Sequence, residues 1–202
     1  MDEKKLEIIG NALQVYMKYG IKSVTMDEMA RQLGVSKKTL YQYVSDKNDL
    51  VEQCIQCAHH MDMEMIKIII AENENAIDEV LAISKQVSEE LKKVHPSIFF
   101  DLAKYHPNAL KMMECHKDEF IKDTVKDNMR KGMKQGLYRS NLNVEVVSNL
   151  YLSTLDHILA GDFSSYKEMT TEEVYQEVFR YHIRGIASDE GIKYLIEKLN
   201  NK

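Results

Sequence analysis

Apolar residues recur along this chain at helical spacing, and the gaps between the runs carry capping residues. In the first run Leu6, Ile9, Leu13, Tyr16 and Met17 share a face that Ile8, Ala12, Val15 and Tyr19 widen. Gly20 supplies a stop, so the pattern predicts a helix over about residues 3 to 19. In "VTMDEMARQLGV", Thr25 and Glu28 fit a capping box, with Val24 and Met29 as the hydrophobic staple across it. Met26, Met29, Ala30 and Leu33 form one buried stripe, and Gly34 is a left-handed cap with Val35 placed to touch Ala30. This predicts a short helix over about 26–33. Two residues later Ser36 can cap another, with Val35 and Leu40 as staple. Leu40, Tyr43 and Val44 take its inner arc. Lys38, Tyr41, Gln42 and Ser45 take the outer one, with Lys37 at the edge. Two short helices joined by a tight Gly-containing turn make a helix-turn-helix.

A longer helix is expected from Ser45 or Asp46 to about residue 71. Asn75 opens the next, with Ile77, Val80, Leu81, Val87, Leu91 and Val94 in its stripe, and Pro96 ends it. Pro107 starts a later helix, read as continuous through "NALKMMECHKDEFIKDTVKDNMRKGMKQG" to a stop near Gly136. Asn143 caps one to about residue 160, Thr170 and Glu173 repeat the capping box with Met169 and Val174 as staple, and a last helix covers roughly 189–200. The expected fold is therefore all-α, with nine or ten helices. A three-helix DNA-binding domain is expected over 1–48 and a larger helical domain over 49–202. Composition agrees: 2 Pro and 8 Gly leave few helix breakers, and 44% hydrophobic residues can fill a real core.

Several function classes drop out. Cys54, Cys57 and Cys115 cannot build a disulfide framework, and the acidic start "MDEKKLEIIG" is unlike a secretion signal, so a reducing cytoplasm is expected. No apolar run approaches the roughly 20 residues of a membrane span. "CIQCAHH" raises the question of metal, since Cys54, Cys57 and His60 fall on one helical face. A structural zinc motif needs a turn between its cysteines and a second pair, which Cys115 and His116 supply only through tertiary packing. Buried cysteines and a solvated His pair are expected, with no metal and no cofactor. A Gly-rich phosphate loop, a nucleophile elbow and a His-Glu-x-x-His pattern are all missing, so an enzyme is not expected.

The chemistry lies in "GVSKKTLYQYVSDK". Two lysines at a helix N-terminus oppose the macrodipole, which disfavours each by about 0.3–1 kcal/mol. Residues 1–50 carry eight Lys/Arg and seven Asp/Glu in a chain of net charge −5, so bulk charge does not explain them. Phosphates would, because they reverse the local field. In helix-turn-helix proteins the second helix enters the major groove and presents its N-terminal residues to base edges. Lys37 and Lys38 would then meet DNA, and the Tyr41 and Tyr43 hydroxyls would meet phosphate. Lys47, opening the next helix, and Thr25, capping the previous one, would add contacts of the same kind.

Residues 1–50 resemble the N-terminal DNA-binding domain of the TetR family of transcriptional regulators. The likeness rests on Ile9, Ala12 and Gly20, on Val24 to Ala30, on Leu33 to Ser36, and on Thr39 to Val44 followed by Lys47 and Leu50. Val44 stands where the family often has Phe, a change that touches packing. "KQGLYRSNLNVEVV" is similar to a segment often found before the family's dimerising helices. The resemblance implies a ligand-responsive repressor: a homodimer on a palindromic double-stranded operator, released by an effector. Its DNA contacts would be Thr25, Ser36, Lys37, Lys38, Thr39, Tyr41, Gln42, Tyr43 and Lys47. Its dimer interface would be Tyr151, Leu155, Ile158 and Leu159 against Val174, Val178, Phe179, Ile183 and Ile186. Met-rich surfaces adapt to irregular ligands. That makes Met61, Met65, Phe99, Phe100, Tyr105, Met112, Met113 and Phe120, with His157 as a polar contact, the candidate site for a small hydrophobic or amphipathic effector. The alternatives are a protein-interaction module on the same fold, which the intact Ser36–Lys47 segment disfavours, and a small helical enzyme.

Overall fold

A computed structural model describes residues 3–159 and 169–200. In chain order the helices are α1 (Glu3–Tyr19), α2 (Met26–Gln32), α3 (Lys37–Leu40), α4 (Lys47–Glu72), α5 (Ala76–Leu91), α6 (Ile98–Tyr105) and α7 (Pro107–His116). A π-helical segment, Lys117–Ile121, follows, then α8 (Lys122–Lys134), α9 (Val144–Leu159), α10 (Thr171–Ile186) and α11 (Asp189–Asn200). The one pairing of extended backbone among the described residues is an isolated bridge from Tyr138 to Ala187. No described helix is long and apolar enough to cross a membrane.

The helices gather into two compact units, one of residues 1–64 and 93–117, the other of 65–92 and 118–202. This division differs from a boundary at residue 48, and the reason is packing. Ile98 and Leu102 of α6 and Ala109 of α7 are buried in the same core as Ile8, Ile9 and Ala12 of α1, Met29 of α2 and Leu50, Val51 and Cys54 of α4. Asp101 fastens α6 there. Its carboxylate, 3% exposed, accepts the backbone N–H of Ile21 at 3.1 Å and of Lys22 at 2.9 Å, and the Ser97 hydroxyl at 3.1 Å. The side chain thus holds the turn between α1 and α2 that precedes the helix-turn-helix.

In the second unit α5, α8, α9 and α10 pack around Ile77, Met129, Tyr138, Tyr175, Phe179 and Ile183. A satisfied polar network runs through this core. The Asn128 amide donates to Ala76 O and Glu79 Oε1, both at 2.9 Å, and Tyr138 donates to Asn128 Oδ1 at 2.9 Å. Lys131 closes the network on Glu79 at 2.7 Å. Buried polar groups are tolerated only when paired in this way.

Gly132 makes room for the network. A Cβ there would lie 2.1 Å from the Tyr138 ring, and Tyr138 is 1% exposed. A free helical Gly→Ala change gains up to about 1 kcal/mol. Gly132→Ala is instead expected to destabilise by about 1–3 kcal/mol through overpacking, lowering the melting temperature by roughly 3–10 °C. A rise in melting temperature would contradict the packing described.

Two elements depart from the sequence pattern. The run from Pro107 to Gly136 is not one regular helix, because α7 passes through the π segment before α8 begins. Ile98–Tyr105 forms a helix of its own between the two prolines.

Candidate nucleic-acid interface

Both short helices are fixed at their ends by the residues the pattern singled out. Thr25 Oγ1 accepts the Glu28 N–H at 3.1 Å, but the Glu28 carboxylate pairs with Arg31 and Gln32, so only this half of the expected capping box forms. At the other end of α2, Gly34 has φ +66°. Its N–H and that of Val35 then reach Arg31 O at 3.1 Å and Ala30 O at 3.0 Å. That is the left-handed helix stop, and it sets the angle between α2 and α3. Ser36 Oγ accepts the Thr39 N–H at 3.0 Å and lies 2.7 Å from Thr39 Oγ1. Leu40, with no exposed surface, plugs α3 into the core beside Val44, and Tyr43 packs against the same cluster.

The recognition element is shorter than the sequence pattern suggests. Regular α-helix ends at Leu40. Gln42 N–H then bonds Thr39 O and Tyr43 N–H bonds Leu40 O, each at 3.1 Å, which tightens the chain into a narrower turn. The next helix begins too soon for more. Asp46 Oδ1 takes the Asp49 N–H at 3.0 Å, and Asp49 Oδ2 takes the Ser45 N–H at 2.7 Å.

The outer arc stays open. Ser36, Lys37, Lys38, Tyr41 and Gln42 are exposed, as is Thr25, and Thr39 is half-buried. Lys37 does not wait alone: its ammonium pairs with Asp27 across the motif at 2.7 Å. That hydrogen bond holds the Lys37 pKa above its ordinary value. The pair is exposed, so phosphate can replace Asp27 readily. Lys47 is placed differently from its neighbours. Its ammonium donates to Val24 O at 2.7 Å and Lys22 O at 3.4 Å, and burial lowers its pKa. In this state it fastens the turn before α2. Nothing in the sequence pattern marks Asp27 or this use of Lys47, because both contacts cross from one element to another and follow no helical spacing.

The second unit carries an open groove of about 600 Å³ between α9 and α10. Tyr151, Val174, Val178 and Ile186, all expected at a dimer interface, line it. Phe179 and Ile183 lie instead in the unit's own core, with Leu155 packed against it, and Ile158 is buried. The side chain of Leu159 falls outside the described residues. In their place the structure exposes Leu150 (64%) and Tyr181 (83%), which also line the groove. Sequence periodicity passes over them because they lie off the inward stripe.

The nine effector candidates are not brought together in either unit. Met61, Phe99, Phe100, Tyr105, Met112 and Met113 belong to the first, and Met65, Phe120 and His157 to the second. Met61, Phe100 and His157 are exposed, Met113 packs on the first core, and none of the nine lines the groove.

Among the described residues no group of three or more His, Cys, Asp or Glu is placed to hold a metal. Cys54 is buried, with its thiol 3.7 Å from Ile9 O and its pKa raised by burial. Cys57 is half-buried and Cys115 exposed.

Four histidines carry a pH dependence: burial lowers the pKa of His106 and His116, and lowers that of His59 and His182 further. His59 stacks on His116, ring centres 4.1 Å apart. Burial, then the neighbouring His116, pulls His59 from its ordinary 6.5 down to about 4. His182 stacks on Tyr151 in the groove at 3.9 Å, and burial takes it to about 4 as well. A histidine kept neutral by folding stabilises the protein above its unfolded pKa, and that stabilisation is lost as pH falls. The denaturation midpoint is therefore expected to be flat above about pH 6.5 and to fall between pH 6.5 and 4. A His59→Phe, His182→Phe double variant should flatten the fall. An equally steep fall in that variant would assign the acid sensitivity to other groups.

A capped helix-turn-helix with a polar, cationic outer arc, carried on an all-helical body, defines a DNA-binding protein of the regulator class. Known proteins agree. Residues 8–54 match the family model described as bacterial regulatory proteins, tetR family. The HTH-type transcriptional regulator YvaF of Bacillus subtilis is 27% identical over 172 residues, covering 83% of this chain and 88% of that one. Among solved structures, a transcriptional regulator of Saccharomonospora viridis in complex with choline superposes with a TM-score of 0.74 at 14% identity, over 93% of this chain and 100% of that one. The regulator FadR of Bacillus subtilis in complex with stearoyl-CoA gives 0.66 at 18% identity, over 89% and 98%. At these identities the two structures speak for the fold alone. With the YvaF relative beside them, residues 8–54 carry the helix-turn-helix of the tetR family of bacterial regulatory proteins, and the chain as a whole resembles transcriptional regulators of that kind.

Proposed function

We propose that this regulator is a repressor, working in the cytoplasm, that binds a palindromic operator as a homodimer and leaves it when a small hydrophobic or amphipathic effector binds the second unit. The observation that carries the reading is the outer arc of α3. Lys37, Lys38, Tyr41 and Gln42 face solvent from an element whose two ends and inner side are all fixed. A surface patch with no role in binding needs no such rigidity; a reader of base edges does.

Pairing is supported by the groove of α9 and α10. Large apolar side chains left in water beside a concave surface mark an interaction site. Two copies related by a two-fold axis would cover the groove with the same groove. They would then present two α3 elements to half-sites about 34–36 Å apart or a multiple of that.

An effector is supported by the choline and stearoyl-CoA held by the two structural neighbours. One is a compact cation and the other a long acyl thioester, so the fold accommodates a broad ligand class. Met65 and Phe120, half-buried, and His157, exposed, are the members of the candidate set that lie in the second unit and have surface left to give to a ligand. α4 runs unbroken from Lys47, at the end of the reading module, to Glu72 in the second unit. It is the covalent route by which a change at an effector site would reach the DNA side. Operator binding by a Lys38→Ala, Tyr41→Ala protein tests the DNA-reading assignment.

A further inference from the structure

A cationic and aromatic cluster on α6 lies beside the helix-turn-helix in the first unit. The Lys104 ammonium stands 5.3 Å from the centre of the Phe100 ring and 5.5 Å from that of Tyr105. Lys22, from the turn before α2, stands 4.9 Å from the same Tyr105 ring. Phe100 is 56% exposed and Tyr105 36%, so this is surface, whereas Ile98 and Leu102 supply the packing of α6. Both ammonium groups lie within 5.5 Å of the Tyr105 ring centre, where the ring quadrupole attracts them. Asp101, the carboxylate on α6, acts on Lys22 only as a minor attraction and makes no ion pair with it. It points inward onto the backbone N–H groups of Ile21 and Lys22.

The cluster continues the DNA-facing strip. The carbonyls of Lys22 and Val24 receive the Lys47 ammonium, and Thr25, the cap of α2, comes next in the chain. On the other side His106, which joins α6 to α7, bonds the side chain of Asn48 at 2.7 Å. So Thr25, the start of α4 and the end of α6 are tied to one another.

We infer that Lys22, Lys104 and Tyr105 form a second DNA contact, which grips the sugar–phosphate backbone outside the base pairs that α3 reads. This rests on the reading of α3 as the groove-entering element. The two ammonium groups meet phosphate oxygens, the Tyr105 hydroxyl donates to another, and the exposed Phe100 face packs on sugar. The hydrogen bond from Lys22 and the nearby Lys104 lower the Tyr105 pKa, which strengthens the phenol as a donor. The contact carries no sequence information; it adds affinity and salt dependence, and it lengthens the protected segment.

The test uses the full chain and a duplex recovered from a random library by the wild-type protein. One form is trimmed to the selected base pairs, and the other carries about ten added base pairs on each side, one helical turn. The wild type is expected to bind the long form about tenfold more tightly than the short. K22Q/K104Q should bind both equally. Its salt dependence on the long form should be shallower by about 3 to 4 in slope, two cations lost from each of two protomers. Both side chains are exposed, so its melting temperature should match the wild type. A variant that keeps the length preference overturns the inference alone, as does one weakened equally on both forms. A variant that binds both duplexes as the wild type does but loses a protein partner assigns the patch to that partner and overturns it too. A wild type that recovers no duplex overturns the DNA-reading assignment itself.

Discussion

A protein carrying Lys38→Ala and Tyr41→Ala is expected to lose operator binding while remaining a folded dimer. Both side chains are exposed, and neither belongs to the core that Leu40, Val44 and Tyr43 anchor. The Ser36 cap and the Gly34 turn are untouched, so α3 keeps its place, and surface changes of this kind move stability by only about 0.5 kcal/mol. What goes is one base-facing or phosphate-facing cation and one aromatic hydroxyl from each head. Lost contacts of this class weaken binding by about tenfold or more each, and a dimer loses four of them. Binding measured at 0.15 M salt should fall by at least about a thousandfold, to the level of unrelated duplex. Sedimentation should still show the wild-type mass. Unchanged affinity with unchanged salt dependence would place the reading surface elsewhere.

The second large effect is expected at Leu150. This side chain is 64% exposed on the wall of the α9–α10 groove, so a glutamate there is well solvated in a single copy and folding should survive. In a two-fold pair the same substitution buries a charge from each copy against an apolar surface, which costs about 3–5 kcal/mol when no partner neutralises it. The dimer dissociation constant should rise by at least a hundredfold, and Leu150→Glu should sediment as a monomer at micromolar concentration. Operator affinity should fall with it, because two linked heads bind far more tightly than one. Helix content by circular dichroism should not change. A Leu150→Glu protein that stays dimeric removes the groove from the interface, and Tyr181→Glu, at 83% exposure, gives an independent second reading.

Much of the fold is written in local signals, and those are the parts a sequence displays. The Thr25, Ser36 and Asn75 caps and the Thr170–Glu173 capping box all form the hydrogen bonds their spacing calls for. The reading module was legible because caps, turn glycine and inner arc lie within some twenty residues of one another. Three things were not legible, each for a physical reason. The break between α7 and α8 is a π segment with neither Pro nor Gly to announce it. The docking of α6 depends on Asp101 reaching backbone N–H groups eighty residues away. And an apolar stripe states that a face is buried without stating against what. On α10 Phe179 and Ile183 turn inward, while Tyr181 on that helix and Leu150 on α9 remain uncovered. The Met and aromatic residues of the middle helices share this ambiguity, since a side chain that suits a ligand cavity equally suits a core.

The recognition helix is one turn long before the chain narrows at Gln42. If it reads DNA as proposed, so brief a probe touches few letters, about three or four on each arm of the proposed palindrome. A vocabulary that small recurs often along any chromosome. Selectivity must then come from the spacing between the two arms and the stiffness of the intervening duplex, and one such protein is suited to governing several dispersed promoters whose arms are imperfect copies of each other.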